Sequence, residues 1–240
     1  MILGIHRPIT LWETVGLLQV AQSIENCQLS SMHLAQELLQ AALLPTDVLE
    51  PDKLIDMDGP YRTVDSSPMP YATCLAQLNG LPYEGITNPS LPGILPDETG
   101  GIVLCPFGLK PEVDLPITVW ADIVRMLRSY GEKVTLVADP DQRLDSAYFT
   151  EDATASTWSL TEKLELLAKA KLIVGMPNVY TWLSTGWAKK MVVYYPSTVN
   201  NARWFGFFGH GYSYILLGYE PHAVRIPLLI AGLRLAIGKL

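Results

Sequence analysis

Ser159-Leu-Thr-Glu-Lys-Leu-Glu-Leu-Leu-Ala-Lys-Ala-Lys-Leu-Ile-Val-Gly175 is a helix that runs straight into a strand. Thr161 to Ala170 has the length and composition of a short helix, and Leu172-Ile-Val174 carries no polar residue. A strand apolar on both faces, fed by a helix, is the unit from which a covered parallel sheet is built. The same rhythm extends in both directions. Upstream, Gly101-Ile-Val-Leu-Cys105 is a continuous apolar strand, followed by a helix over Thr118 to Tyr130 that turns Val119, Ile123, Met126 and Leu127 inward. Gly131 suits its C-terminal cap, and Val134-Thr-Leu-Val-Ala138 is the next buried strand. Downstream, Tyr180 to Ala188 reads as a helix and Met191-Val-Val-Tyr-Tyr195 as a strand. Strands alternating with helices predict an α/β domain whose parallel sheet has helices on both faces.

The first third of the chain repeats this plan in shorter form. Ile2 to Ile5 is a brief strand, and Thr10 to Ile24 places Leu11, Val15 and Leu18 at the helical period. Ser30 or Ser31 can cap a second helix carrying Leu34, Leu38 and Leu39, ended by Pro45. Lys53 to Asp58 reads as a strand closed by Gly59-Pro60, and Tyr71 to Leu78 as a helix that Asn79-Gly80 terminates. Proline and glycine then crowd the stretch from Pro82 to Gly101, which suits neither a helix nor a strand interior. That stretch marks a linker between a reduced α/β domain over 1–95 and a larger Rossmann-like domain over 96–240 with a terminal helix.

Composition narrows the partners. The 240 residues are 49% hydrophobic and 17% charged, enough to bury a substantial core. A formal charge of −7 repels phosphate polymers, so nucleic acid is a poor partner. Cys27, Cys74 and Cys105 are odd in number and widely spaced, which fits neither a disulfide framework nor a zinc site. With His6, Arg7 and Pro8 interrupting the first apolar run, no signal peptide is read, and a reducing, cytoplasmic setting is expected. The apolar tail from Ile226 to Leu240 is shorter than a bilayer span and contains Arg234. A packed terminal helix is expected there, the alternative being a helix that binds a partner, a second copy or a membrane surface.

In an open parallel sheet, ligands bind beyond the carboxyl ends of the strands. Four loops lie there: Pro106 to Pro116, Asp139 to Arg143, Gly175 to Thr181, and Pro196 to Gly211. The first offers Phe107, Gly108 and Lys110 to a diphosphate, with a plain surface role open for the lysine. The second presents Asp139. The third opens a helix near Tyr180 whose first-turn N–H groups would attract an anion; Asn178 and Thr181 either cap that helix alone or touch a phosphate as well. The fourth holds Asn200, Asn201, Arg203, Trp204, Phe205, Phe207, Phe208, His210 and Tyr212, a mixture suited equally to stacking a base or sugar and to plugging an interface. His33 and His222 have no companion at metal-ligand spacing.

Taken together, Ile102-Val-Leu-Cys-Pro-Phe-Gly108, Val134-Thr-Leu-Val-Ala-Asp-Pro140, Ser159 to Gly175 and Met191-Val-Val-Tyr-Tyr-Pro196 resemble, in order and spacing, successive blocks of the heptosyltransferase family of glycosyltransferases, family 9. Lys53 to Tyr61 and Pro70 to Pro82 are similar to the end of that family's acceptor half. The resemblance implies two Rossmann-like halves of the GT-B type and a nucleotide-sugar bound mostly by the second half. It also implies an unidentified acceptor and no cofactor or metal, the nucleotide-sugar being a substrate. Inverting displacement would need a base from the N-terminal half, where His6 and Glu13 are the ionisable candidates. The candidate donor contacts, from the four loops together with this resemblance, are Phe107, Gly108, Lys110, Asp139, Asn178, Tyr180, Thr181, Trp182 and Arg203.

The chain departs from the family at the strand-to-helix signature, where the family's aspartate falls on Pro177 and its histidine on Trp182. The family's first-loop lysine falls on Val113. These departures leave two expectations: a metal-independent glycosyltransferase, or a glycosyltransferase-like fold without catalysis that serves as a structural or interaction module.

Overall fold

The computed structural model describes residues 1–45, 47–59, 71–83, 88–108, 115–139, 142, 158–195, 213–217, 230–234 and 238. They divide into two units. The first is Met1–Leu95 with Thr185–Trp187, and the second runs from Pro96 to Ser184 and resumes at Ala188.

The first unit orders its elements as β1 (Ile2–Gly4), α1 (Leu11–Gln22), β2 (Gln28–Leu29), α2 (Gln36–Ala41), β3 (Lys53–Leu54) and α3 (Tyr71–Leu78). Its three strands are parallel in the order β2-β1-β3, with Ile2 opposite Gln28 and Leu3 opposite Lys53. A reciprocal cap starts α1. The Thr10 hydroxyl accepts from the Glu13 N–H at 3.4 Å, while Glu13 Oε2 accepts from the Thr10 N–H at 2.7 Å. The helical period of Leu11, Val15 and Leu18 marks one apolar face of α1, but Trp12 to Ala21 are buried without a break. Trp12 meets Tyr71 of α3 edge to face, with ring centroids 4.7 Å apart.

One local expectation in this unit is corrected. The sequence places the cap of α2 at Ser30 or Ser31, whereas its N-cap is Ala35, which makes no side-chain bond. Ser31 instead uses its carbonyl, which accepts from Leu34 N–H at 3.2 Å and from Gln36 Nε2 at 2.8 Å. Hydrogen bonds also fasten the proline-rich segment, whose described residues form neither helix nor strand. Gln22 Nε2 donates to the Ser90 carbonyl at 2.7 Å, the Ser90 N–H donates back to Gln22 Oε1 at 2.8 Å, and Trp187 Nε1 donates to the Ile94 carbonyl at 3.1 Å.

The second unit comprises β4 (Ile102–Cys105), α4 (Ile117–Ser129), β5 (Val134–Leu136), α5 (Leu160–Lys169), β6 (Leu172–Gly175), α6 (Val179–Ser184), β7 (Met191–Tyr195) and β8 (Ser213–Leu217). All five strands are parallel in the order β5-β4-β6-β7-β8. Alternation splits each strand between two faces. Ile102, Leu104, Val134, Leu136, Leu172, Val174, Val192 and Tyr194 share a core with Trp120, Ile123, Val124 and Leu127 of α4. Val103, Cys105, Val137, Ile173 and Val193 alternate with them and are buried too, so the sheet is covered on both sides as its composition requires. Residues 230–234 are helical, and Leu233 joins the α4 side of the core, the packed arrangement expected of the tail.

From β4 the chain moves outward to β5 and then crosses back to β6 on the other side of β4. Loops leaving β4 and β6 therefore diverge at a topological switch point, the place where doubly wound sheets take ligands. Gly175 ends β6 opposite Cys105. A Cβ there would lie 2.5 Å from the Cys105 carbonyl oxygen, so glycine is required for the two strands to run this close at that edge.

Candidate functional site

The carboxyl edge of the five-stranded sheet brings five of the candidate residues together in two groups, Asp139 with Tyr180 and Asn178 with Phe107 and Thr181. Asp139 follows β5 through the buried Val137 and Ala138. Its turn is closed by Gln142, which donates its N–H to the Asp139 carbonyl at 2.9 Å and accepts from the Asp139 N–H at 2.8 Å through Oε1. Asp139 Oδ1 accepts a short hydrogen bond from the Tyr180 hydroxyl. The ammonium of Lys163 stands 3.9 Å from the same oxygen and 3.5 Å from the Tyr180 hydroxyl. Lys163 and Tyr180 are buried, while 42% of the Asp139 side chain remains accessible. Burial, and secondarily the charge of Asp139, push the Cys105 thiol of the adjacent strand far up, which leaves it protonated and inert.

The second group lies at the switch point. Asn178 Nδ2 donates to the Phe107 carbonyl at 2.6 Å, tying the loop after β6 to the loop after β4. Asn178 Oδ1 accepts from the N–H groups of Tyr180 and Thr181, each at 3.0 Å. This corrects the expectation that the first turn of this helix offers free amides to an anion: its cap is supplied internally. The Thr181 hydroxyl is spent likewise. It accepts from the Asn178 N–H at 3.0 Å and donates to the Met176 carbonyl at 3.1 Å, and the side chain is wholly buried. Asn178 and Thr181 thus act as capping groups, and Trp182, at the position of the family's histidine, is a buried core residue. Pro177, at the position of its aspartate, is buried in the bend before α6. Phe107 and Gly108 are half-buried. Lys110, Val113, Arg203 and the aromatic stretch from Trp204 to Tyr212 lie outside the described residues.

Within the first unit, the candidate bases separate. His6 is exposed in the bend after β1. Glu13 is buried, and both its oxygens are used: Oε2 in the cap of α1, and Oε1 by Arg7 Nη2 at 3.2 Å. Arg7 also grips Asp58, through Nη2 at 2.6 Å and Nε at 3.2 Å. Those bonds, Asp58 first, outweigh partial burial and raise the Arg7 value above normal, so the guanidinium stays charged. Arg7 and Asp58 were not singled out by the sequence, since nothing in their spacing foretells that residues 51 apart will meet.

Lys163 was also missed, although a signal was present. It falls beside Leu164 and one turn before Leu167 on the buried stripe of α5, where a lysine is out of place unless its charge has a partner. Among the described residues, no group of three metal-binding side chains converges and no helix is long and apolar enough to cross a membrane.

Both units are built on parallel α/β sheets, three-stranded in the first and five-stranded in the second, and match GT-B-like structures. The chain has the heptosyltransferase fold. Its structure is similar to that of the E. coli heptosyltransferase WaaC with ADP, at a TM-score of 0.68 and 12% identity over 98% of this chain and 100% of that one. It is similar to E. coli ADP-heptose LPS heptosyltransferase II at 0.58 and 13%, over 99% of each chain. Similarity to the family 9 glycosyl transferase from Veillonella parvula is 0.60 at 11%, over 95% of this chain and 88% of that one. No protein-family model and no curated protein matches the sequence.

Proposed function

We propose that the chain is a glycosyltransferase that moves a sugar from a nucleotide-sugar donor to an acceptor without a metal ion, binding the donor at the carboxyl edge of the five-stranded sheet. One observation carries the reading: Asp139, a half-accessible carboxylate held from below by Tyr180 and Lys163, stands where doubly wound sheets receive nucleotides. Two structural neighbours support it, the E. coli heptosyltransferase WaaC with ADP and the same enzyme with ADP-2-deoxy-2-fluoro heptose. Calorimetry with a panel of ADP-, UDP-, GDP- and CDP-sugars, with and without EDTA, tests it. At least one should bind, unchanged by EDTA, and Asp139→Ala should weaken that binding. A panel without a binder removes the enzymatic reading.

A second reading rests on Asn178. By satisfying the α6 amides and tying Phe107 to the loop after β6, it occupies the groups a diphosphate would use. A glycosyltransferase-like module that binds no nucleotide and assembles with a partner or with itself accounts for that arrangement. A stable oligomer by light scattering, with no nucleotide affinity, would favour it.

A further inference from the structure

Trp158 calls for a reason. It directly precedes Ser159, the N-cap of α5, at a position whose apolar side chain commonly packs on the residue five places on. That residue is Lys163, whose ammonium is turned to Asp139 and Tyr180 on the buried side of the helix. The usual packing partner is thus polar and engaged elsewhere, and Trp158 stays 40% exposed. Trp158, Glu162, Glu165, Leu166 and Lys169 follow at helical spacing and line an open cavity of about 230 Å³ along the outer face of α5. Leu164, Leu167 and Ala168 fill the opposite, buried face.

The lining is chemically mixed. Glu162 Oε2 accepts from the Ser159 N–H and from its hydroxyl, both at 2.8 Å, which pins the carboxylate. Those bonds, the backbone one first, hold the carboxyl below its usual value, so it is ionised at neutral pH and keeps Oε1 for an incoming donor. Glu165 Oε2 and Lys169 Nζ lie 3.8 Å apart with about half of each side chain accessible, a loose pair that leaves ammonium hydrogens to donate. The cavity therefore joins an aromatic face, carboxylate acceptors and an ammonium donor. An anion would meet two carboxylates there, and a cation would meet Lys169. An alkyl chain would use Trp158 and Leu166 but desolvate the charged groups without pairing them. A neutral sugar ring uses every group: its C–H face lies on the indole, while its hydroxyls donate to Glu162 and Glu165 and accept from Lys169.

We infer that this face of α5 is a saccharide-binding site that takes one neutral hexose unit, free or within a glycan, with Trp158 as its platform. The site goes beyond the donor reading above and does not depend on it, because Lys163 and the body of α5 separate the cavity from Asp139. Its role is to hold carbohydrate, not to act on it.

Ligand-observed NMR on the full chain tests this, with glucose, galactose, mannose, N-acetylglucosamine, maltotriose and chitotriose as probes and tetramethylammonium and inorganic phosphate as charged controls. At least one saccharide should bind, in the millimolar range expected of an open site that covers one ring, and neither control should displace it. Trp158→Ala should weaken binding about five- to tenfold, the loss of an aromatic stack, and Trp158→Phe should keep part of it. Lys169→Met, which leaves the ring untouched, should weaken it about threefold through a lost hydrogen bond. Asp139→Ala should leave it within about twofold. Melting temperatures check that the variants fold. Absence of saccharide binding to the wild type overturns the inference. So does binding that survives in a folded Trp158→Ala protein, or that is lost in Asp139→Ala, which would put the sugar at the donor edge. Displacement by tetramethylammonium or by phosphate marks an ion site instead and overturns it as well.

Discussion

Replacing Asn178 with alanine isolates the residue that closes the switch point. The change removes two acceptor contacts, to the N–H groups of Tyr180 and Thr181, and one donor contact, to the Phe107 carbonyl. Loss of an asparagine N-cap costs about 1 kcal/mol. Loss of the bond to Phe107 adds about 1 kcal/mol, since Asn178 is buried and water cannot fully replace it. About 2 kcal/mol in a chain of this size corresponds to a fall in melting temperature of about 4–8 °C. Asn178→Asp separates the contributions, because a carboxylate still caps the helix and interacts well with its N-terminus but has no hydrogen to give Phe107. Its fall should be about half as large. Thermal and urea unfolding followed by tryptophan fluorescence reads both variants, and Trp182 lies one turn from the cap. An unchanged melting temperature for Asn178→Ala, or equal losses for the two variants, would refute the reasoning that Asn178 serves both as cap and as bridge.

Further outcomes are expected elsewhere. Gly175→Ala puts a methyl group 2.5 Å from the Cys105 carbonyl oxygen, and forcing β4 and β6 apart should cost about 1–3 kcal/mol, read as a lower urea midpoint. Hydrogen bonds from the Ser159 backbone and hydroxyl hold the Glu162 carboxyl below its ordinary value of 4.5. The stability this adds is therefore present above about that pH and lost as pH falls through the lower folded value, so Glu162→Gln should flatten the acid limb of a melting-temperature profile between pH 6 and 3, and Ser159→Ala, which keeps the backbone bond, should flatten it less. In thiol titration of the native protein, Cys74 and Cys105 should stay silent until denaturant is added, because both are buried. Cys27, partly accessible but with its thiol pushed up by burial, should react slowly near pH 8 and faster as pH rises. Finally, Glu13→Ala should destabilise the first unit, since it removes the carboxylate half of the α1 capping box and one of the two carboxylates that hold Arg7, whereas His6→Ala, at an exposed bend, should leave the melting temperature within about 1 °C.

The architecture was legible in the chain because its signals are local. Apolar runs at 102–105, 172–175 and 191–195 have nowhere to go but the middle of a covered parallel sheet, and the helices between them carry their own start and stop chemistry in Ser159 and Gly131. The two strands that went unread, β2 at Gln28–Leu29 and β8 at Ser213–Leu217, show the limit of that reading. The first is two residues long, and the second adjoins an aromatic-rich stretch of sequence that masks its period. What tertiary structure alone decided was which polar groups are spent and which are left over. Composition allowed the amides of α6 to be free, but the fold turns Asn178 back on them. Glu13 looked like an acid at the edge of a helix, yet packing buries it against Arg7, a partner that Asp58 shares from 51 positions away. Lys163 and Asp139 are 24 residues apart in sequence and meet only because β5 and the start of α5 end at the same edge of one sheet. A chain states which groups it carries, but hydrogen-bond partners are assigned in three dimensions, and the chemistry of a site depends on what remains unassigned.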